Sequence, residues 1–216
     1  MSGLESFPET RASVLPQRLL VLFGLIWGAL AIAPVYRNDW LLENVLVFVA
    51  LPLLVWTHRR FRFSDATCVA LFVFAVLHEI GAHYTYAEVP WNRWMQCLLG
   101  LSADITFGFS RNHYDRAVHF LYGLLVTPAA LEIIDARATA TPLWRWLLTV
   151  TFMASHSVLY ELLEWAAVLV FASDLGMAYL GTQGDEWDAH QDMLLALLGT
   201  LVAATFLCLR GRPHRS

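Results

Sequence analysis

Long apolar runs, separated by short polar segments, make up most of this sequence. Six of these runs are predicted to cross a membrane: Leu19–Val35, Leu41–Trp56, Ala66–Ala82, Arg116–Ile134, Leu143–Phe171 and a last run that ends at Leu209. A transmembrane helix needs about 20 apolar residues, and the second run only just meets that requirement. The pattern therefore predicts an all-α fold, a polytopic membrane protein with six transmembrane helices.

The polar segments at the two ends divide the chain into one membrane domain and two tails. Residues 1–17 are predicted to form an N-terminal cytoplasmic tail, and residues 211–216 a basic cytoplasmic tail. The six-helix membrane domain is predicted to extend over residues 18–210. No repeat of 20–50 residues is visible, so we expect a single domain.

The longest connection between apolar runs carries a second kind of membrane signal. Trp91 and Trp94 flank Arg93 and are followed by the apolar residues 95–101. Tryptophans beside a short apolar stretch are typical of a segment that lies in the membrane interface. We therefore expect this connection to rest at the bilayer surface.

Composition agrees with a membrane protein and excludes several other classes. Of the 216 residues 58% are hydrophobic and only 15% are charged, whereas a soluble domain is about a quarter charged. The net charge of -4 excludes nucleic acid as an expected partner, so membrane lipids are the expected partners and the oligomeric state is open. The three cysteines form no CxxC pair, which argues against a disulfide framework or a thiolate zinc site.

The arginines predict an orientation. All fourteen basic residues are arginine, and with six spans ten of them fall on the side that carries both termini. The other four are Arg37, Arg93, Arg111 and Arg116. The positive-inside rule therefore places both termini in the cytoplasm.

In this orientation, ionisable residues from four separate segments fall at a similar depth on the extracytoplasmic side. Ionisable groups are expensive in a membrane and are by default interpreted as functional. We expect the catalytic groups to be Asp115, His119, Glu161 and Glu164. The residues expected to bind substrate are Arg111, Asn112, Arg116 and Tyr84.

Further histidines and carboxylates at the same depth suggest a metal site. The hypothetical ligands are His78, Glu79, His83, Asp185, Asp188 and Asp192. Imidazole and carboxylate ligands suit a divalent cation such as Zn²⁺, Mn²⁺ or Mg²⁺, although the sequence does not identify the cofactor. Such an ion activates water or polarises a phosphoryl or carbonyl oxygen. The leading hypothesis is metal-assisted chemistry on a lipid or cell-envelope precursor.

Two other functions remain open. In a proton-coupled transporter or carrier, Glu161, Glu164 and His119 would relay protons. In a structural or partner-binding membrane protein, the polar groups would only lock the helices together. Arg111 and Arg116 would then pair with acids drawn from Asp104, Asp115 and Asp185, and Asp188 would be the N-cap of the last helix.

Four motifs resemble those of a known family, and the resemblance covers nearly all of the chain beyond the N-terminal tail. They are His78-Glu79 with His83-Tyr84-Thr85-Tyr86, Arg111-Asn112-His113-Tyr114-Asp115-Arg116 with His119-Phe120, Tyr160-Glu161-Leu162-Leu163-Glu164-Trp165, and Gly181-Thr182-Gln183-Gly184-Asp185. The chain is similar in these motifs to the YjdF-type family of bacterial inner-membrane proteins. The resemblance implies a six-span, multi-pass protein of the bacterial inner membrane with uncharacterised biochemistry.

A second, local similarity points to the cell envelope. The pattern Asp115-Arg116-x-x-His119-Phe120 resembles the Asp-Lys-x-x-His-Phe pattern of VanZ-like envelope proteins. Their later Asp-x-x-x-Asn pattern is matched only by Asp188-x-x-x-Asp192. This likeness implies a location and no particular reaction.

Overall fold

The structure is a computed structural model that describes residues 14–58, 60–102, 105–106, 108–170 and 183–210. Within these residues all regular secondary structure is helical, which confirms the predicted all-α class. The helices are α1 (Leu15–Leu30), α2 (Arg37–Thr57), α3 (Asp65–Tyr84), α4 (Trp91–Leu99), α5 (Tyr114–Arg137), α6 (Pro142–Val170) and α7 (Asp188–Leu209).

Five of the described helices, α2, α3, α5, α6 and α7, are long and apolar enough to cross a membrane. The chain is thus a polytopic membrane protein by length and composition. Helix α1 differs from the predicted first span, since it begins at Leu15 and ends at Leu30 rather than Val35. Ala33 has a positive φ of 49° and Pro34 follows it, so the chain turns early. Sixteen residues extend over about 24 Å, less than the ~30 Å hydrocarbon core.

The predicted tails lie largely outside the described residues. Residues 1–13 and 211–216 are not described, while residues 15–17 belong to α1 rather than to a tail. Pro16 is compatible with this start, because the N–H groups in the first turn of a helix have no partner within the helix and proline lacks this group. The six-span count and the cytoplasmic termini stay predictions.

Helix α2 is longer than the apolar pattern indicated, and its extra turn is polar. It begins at Arg37 instead of Leu41, and Asp39, Glu43 and Asn44 are all buried. The Asn44 side chain donates to the Trp40 carbonyl at 2.9 Å and accepts from Trp27 Nε1 at 2.6 Å. These bonds satisfy a polar side chain inside the membrane and fasten α1 to α2.

The closest helix packing joins α5 to α7. A Cβ added at Gly123 would collide with the carbonyl oxygen of Ala196, and one added at Gly199 with that of Phe120. Small residues allow membrane helices to approach this closely, because lipid offers no hydrophobic force to drive them together. The crossing fixes the register between the two helices, so the polar residues at their N-terminal ends lie side by side.

The segment after α3 folds back over its own helix. Thr85 and Tyr86 both have positive φ, 56° and 52°. The Tyr86 ring packs over Gly81, where a Cβ would lie 2.5 Å from a ring carbon. Only glycine leaves this space, and it allows the Tyr86 hydroxyl to reach His78 Nδ1 at 2.6 Å.

At the opposite end of the bundle, the acidic side chains have their own donors. The Glu132 carboxylate accepts from the Ser64 backbone N–H at 2.9 Å, from the Ser64 hydroxyl at 2.6 Å and from the Thr67 hydroxyl at 2.8 Å. Asp135 pairs with the Arg145 guanidinium through both carboxylate oxygens. These contacts join α3 to α5 and α5 to α6.

Candidate functional site

The polar side chains singled out in the sequence gather at one end of the bundle. This end contains the beginnings of α2, α5 and α7 and the second halves of α3 and α6. His119 of α5 lies 3.7 Å from a carboxylate oxygen of Glu161 on α6, measured from Nε2. Arg116 of α5 contacts Asp188, the first residue of α7, at 3.4 Å. Helices that are distant in sequence thus contribute to one polar cluster.

Two arginines and two aspartates form its outer edge. Arg111 Nη1 lies 2.6 Å from Asp188 Oδ1 and 3.6 Å from Asp185 Oδ2. Arg116 Nη2 lies 2.5 Å from Asp185 Oδ2 and 3.4 Å from Asp188 Oδ1. Each guanidinium therefore shares both carboxylates. This agrees with the expected pairing of the arginines with Asp185, and it adds Asp188, which the sequence interpretation had treated as a cap or metal ligand.

Asp185 occupies the turn that starts α7. It accepts the Trp187 backbone N–H at 2.9 Å and the Gln191 side chain at 3.0 Å. The hydrogen bond from the Trp187 N–H and, to a smaller extent, the Arg116 guanidinium hold the pKa of Asp185 below its usual value. Trp187 is the N-cap residue, so the alternative in which Asp188 is the N-cap is wrong. The other proposed pairing partner, Asp104, lies outside the described residues.

A possible cation-binding group lies directly behind these ion pairs. One ligand atom each from Asp115, His119 and Asp192 lies within 4.8 Å of the other two. Asp115 and His119 are four residues apart on α5, with Nε2 3.5 Å from Oδ1, and the α5–α7 crossing supplies Asp192. Asp192 is 2% exposed, and its Oδ1 has no hydrogen-bond partner among the described residues. A buried carboxylate oxygen without a donor is costly unless a cation or a proton satisfies it.

The structure distributes the six hypothetical metal ligands over several places. Asp192 belongs to this group, whereas Asp185 and Asp188 hold the arginines. Glu79 is fully buried beside Trp40 and Asn44 of α2. His83 Nδ1 donates to the Leu30 carbonyl at 2.7 Å and so holds the end of α1.

Both ring nitrogens of His78 are engaged. Burial raises the pKa of the Tyr86 phenol well above its usual value, so this hydroxyl stays protonated and donates to His78 Nδ1. His78 Nε2 then carries the proton and donates to the Glu43 carbonyl at 3.3 Å. In this arrangement His78 has no free nitrogen for a metal ion.

Two of the four expected substrate-binding residues are committed to other contacts. The Asn112 amide donates to the carbonyls of Ala87 and Val89 at 2.9 and 2.8 Å. Its oxygen accepts the Tyr114 backbone N–H at 2.9 Å. The Tyr84 ring lies against His83 and Trp94, with centroids 4.6 and 6.1 Å away. Asn112 and Tyr84 thus hold neighbouring segments together, while Arg111 and Arg116 lie in the cluster.

The sequence interpretation missed Glu43. This buried residue of α2 accepts the Tyr160 hydroxyl at 3.4 Å, and Glu164 lies within electrostatic range of it. The available signal was a carboxylate inside an apolar run, which is by default functional in a membrane. With it, the described cluster holds two guanidiniums and seven carboxyl groups, from Glu43, Asp115, Glu161, Glu164, Asp185, Asp188 and Asp192.

A cavity of about 70 Å³ adjoins the cluster on its membrane side. Three histidines and three tyrosines contribute to its wall: His78, His119, His156, Tyr86, Tyr122 and Tyr160. The Tyr122 hydroxyl lies 2.8 Å from His156 Nδ1. The cavity therefore extends from His119 toward the middle of α6.

Comparisons with known proteins agree with the membrane architecture. Residues 15–212 match the model of a family described as "Predicted membrane protein (DUF2238)". The chain is 35% identical over 173 residues to the "Inner membrane protein YjdF" of Escherichia coli (strain K12), covering 79% of this chain and 78% of that protein. No solved structure matches. These matches confirm the predicted YjdF-type resemblance and the inner-membrane location, and the chain belongs to the DUF2238 family of predicted membrane proteins.

Proposed function

We propose that this inner-membrane protein carries out metal-assisted chemistry on a lipid or cell-envelope precursor at the extracytoplasmic end of its bundle. One observation carries the proposal: Asp115, His119 and Asp192 converge within 4.8 Å of one another while a buried oxygen of Asp192 lacks a donor. Seven carboxyl groups against two guanidiniums leave the cluster short of positive charge. A divalent cation would supply that charge.

The proposed orientation has six spans, with α1 as the first and both termini in the cytoplasm. Its support is the ten-to-four division of the arginines together with the positive-inside rule. The polar cluster then faces the periplasm, at headgroup depth. There it has access both to water and to the headgroups of lipids that enter from the outer leaflet.

The residues around the proposed ion divide the chemistry among them. One imidazole and two carboxylates favour Zn²⁺ or Mn²⁺ over Mg²⁺, which prefers an all-oxygen shell. A bound ion polarises a phosphoryl or carbonyl oxygen, or activates water. Glu161, whose Oε1 lies 3.7 Å from His119 Nε2, and its neighbour Glu164 are placed to move protons. Arg111 and Arg116 are placed to orient an anionic substrate.

Metal analysis of the purified protein tests this proposal. After equilibration with Zn²⁺ or Mn²⁺ in detergent, we expect one ion per chain by mass spectrometry. His119→Gln and Asp115→Asn should each weaken binding by at least about 10–100-fold, the loss typical even for residues that only support a ligand. His156→Gln is the matched control, because His156 lies in the cavity wall and outside the ligand group. Absence of stoichiometric metal, or equal binding by all four proteins, would overturn the proposal.

One observation favours a second candidate, a proton-coupled carrier. Buried and half-buried carboxyl groups follow one another from Glu43 through Glu164 and Glu161 to Asp115, each within electrostatic range of the next. Neighbouring carboxyl groups in a low-dielectric interior share protons readily, as proton relays in transporters do. Proteoliposomes loaded with a pH-sensitive dye would then acidify under an inward proton gradient. Glu164→Gln should abolish that flux, and a flux equal to that of empty vesicles would dismiss the carrier.

A further inference from the structure

A large apolar groove lies at the end of the bundle remote from the polar cluster. It has a volume of about 460 Å³ and lies between the beginning of α1, the end of α2 and the beginning of α3. Most of its wall is aliphatic or aromatic, including Leu20, Phe23, Leu54, Phe63, Cys68 and Phe72. This volume is within the range of about 300–1,000 Å³ found for ligand-binding pockets.

The packing of α1 explains where the groove forms. Near the polar cluster α1 is held to α2, because Trp27 donates to Asn44 at 2.6 Å and its ring lies 5.7 Å from that of Trp40. Toward the other end the groove separates the two helices. Gly24 and Gly28 of α1 have no atoms within 4 Å of an added Cβ, so the face of α1 that carries them is open.

Basic residues lie around the mouth of the groove. His58 and Arg62 line it, Arg18 lies in the first helical turn of α1, and Arg60 lies in the turn after α2. Among the described residues these three arginines form no ion pair with a carboxylate, although Arg60 lies over the Trp56 ring at 5.3 Å.

Carboxylates at this end do not cancel that charge. Glu132 is occupied by the donors of Ser64 and Thr67, and Asp135 by Arg145. Asp65, an exposed residue at the start of α3, is the remaining described acid near the groove, and Arg18, Arg60 and Arg62 outnumber it. The mouth of the groove therefore keeps an excess of cations.

We propose that this groove binds one acyl chain of an anionic phospholipid, with the lipid phosphate at Arg62 and His58. An acyl chain would cover the apolar wall, and a guanidinium binds phosphate through charge-assisted hydrogen bonds. Basic pockets between transmembrane helices recognise anionic headgroups in this way. A zwitterionic lipid would bring its own cation against the arginines and would bind less well. The site is independent of the proposed metal chemistry, because it shares no residue with the polar cluster.

Cys68 provides a natural reporter of groove occupancy. The chain has three cysteines, so Cys97→Ala with Cys208→Ala leaves Cys68, which lines the groove, as the only thiol. The rate at which N-ethylmaleimide labels Cys68 would be measured in mixed micelles of detergent with dioleoyl phosphatidylglycerol or dioleoyl phosphatidylcholine. We expect phosphatidylglycerol to slow labelling at least about five-fold and saturably, and phosphatidylcholine at equal concentration to have little effect. Inorganic phosphate, which has no chain to fill the groove, should not protect.

Two arginine variants decide whether the headgroup is recognised where we place it. Arg62→Ala should remove the difference between the two lipids, and Arg137→Ala, an exposed arginine at the end of α5, should preserve it. Native mass spectrometry of the same samples should show one phosphatidylglycerol retained per chain and lost in Arg62→Ala. Equal protection by both lipids, no protection by either, or an unchanged preference in Arg62→Ala would each overturn the proposal.

Discussion

The two ends of the bundle treat acidic side chains in opposite ways. At one end Glu132 receives three hydrogen bonds from Ser64 and Thr67, and Asp135 receives the Arg145 guanidinium. At the other end Asp192 keeps an oxygen without a donor, and two of its neighbours, Asp115 and Asp188, are also acids. Acids that only hold helices together are satisfied by fixed donors. Acids that lack such donors are the ones a ligand or a proton must complete, and this is why we place the function there.

The arginines at the two ends also differ in the geometry of their ion pairs. Arg145 pairs with a single carboxylate, in a bidentate geometry. Arg111 and Arg116 each divide their contacts between Asp185 and Asp188, at distances from 2.5 to 3.6 Å. Shared ion pairs of this kind can be rearranged when a substrate anion or a metal enters, whereas a bidentate pair has little reason to open.

The largest effect on stability is expected at the end of the bundle where Glu132 and Asp135 have their own donors, which we call the satisfied end. Glu132→Ala would leave the Ser64 N–H, the Ser64 hydroxyl and the Thr67 hydroxyl without their acceptor. Unpaired buried groups cost about 1–3 kcal/mol each, and these three donors are only partly buried, so we expect the lower end of that range and a loss of about 3 kcal/mol in unfolding free energy. Reversible unfolding in mixed detergent measures it, with the exposed Glu186→Ala as the control. A change within about 0.5 kcal/mol of that control would mean that this network does not hold α3 to α5.

The next largest effect is expected at the crossing of α5 and α7, which positions the polar cluster. Gly199→Ala places a methyl group against the Phe120 carbonyl and pushes α7 away from α5. Overpacking of this kind costs about 1–3 kcal/mol, and the displacement should also spread Asp192 from Asp115 and lower metal affinity. Gly24→Ala is a matched control, because its Cβ meets nothing within 4 Å. If Gly199→Ala binds metal as the wild type does, Asp192 is not a ligand.

A smaller effect of opposite sign is expected at the polar cluster. Asp192→Asn removes one of several neighbouring negative charges and keeps the shape of the side chain. Functional sites carry repulsion that the rest of the fold must offset, so we expect stability to be unchanged or up to about 1 kcal/mol higher in metal-free protein. Glu164→Gln should behave in the same way, since its neighbours are also acids. Strong destabilisation by both changes, with full function of the remaining folded protein, would show that the cluster is scaffolding.

The sequence predicted best those features that depend on one helix alone, such as where a helix begins and ends. Apolar run length located all five long helices to within a few residues, because membrane spans must satisfy their own hydrogen bonds and must be long enough to cross. It failed for α1, where a turn near Pro34 shortens the helix. It also missed the polar first turn of α2, Arg37 to Trp40, where the Trp40 carbonyl accepts from the Asn44 side chain.

Pairing between helices could not be predicted in the same way. The i, i+4 spacing placed Asp115 beside His119, but nothing local indicates that Gly123 and Gly199 cross and bring Asp192 to them. Likewise, the contacts of His78 and His83 depend on other segments. Tyr86 folds back over Gly81 and reaches His78, whereas His83 donates to the carbonyl of Leu30, where α1 ends. Glu43 became part of the cluster through Tyr160, more than a hundred residues away.

The smallest effect concerns pH at the outer edge of the cluster. The Trp187 N–H and the Arg116 guanidinium hold the pKa of Asp185 below its ordinary value of 3.8. A depressed folded pKa means that the stabilisation is fully present above the ordinary value and is lost as pH falls through the folded one. The difference in melting temperature between wild type and Asp185→Asn should therefore stay constant from pH 7 to about pH 5 and shrink only below about pH 4. A difference in melting temperature that already decreases between pH 7 and pH 5 would show that these donors do not stabilise the Asp185 carboxylate. The contrast drawn between the shared ion pairs and the Arg145–Asp135 pair would then be wrong.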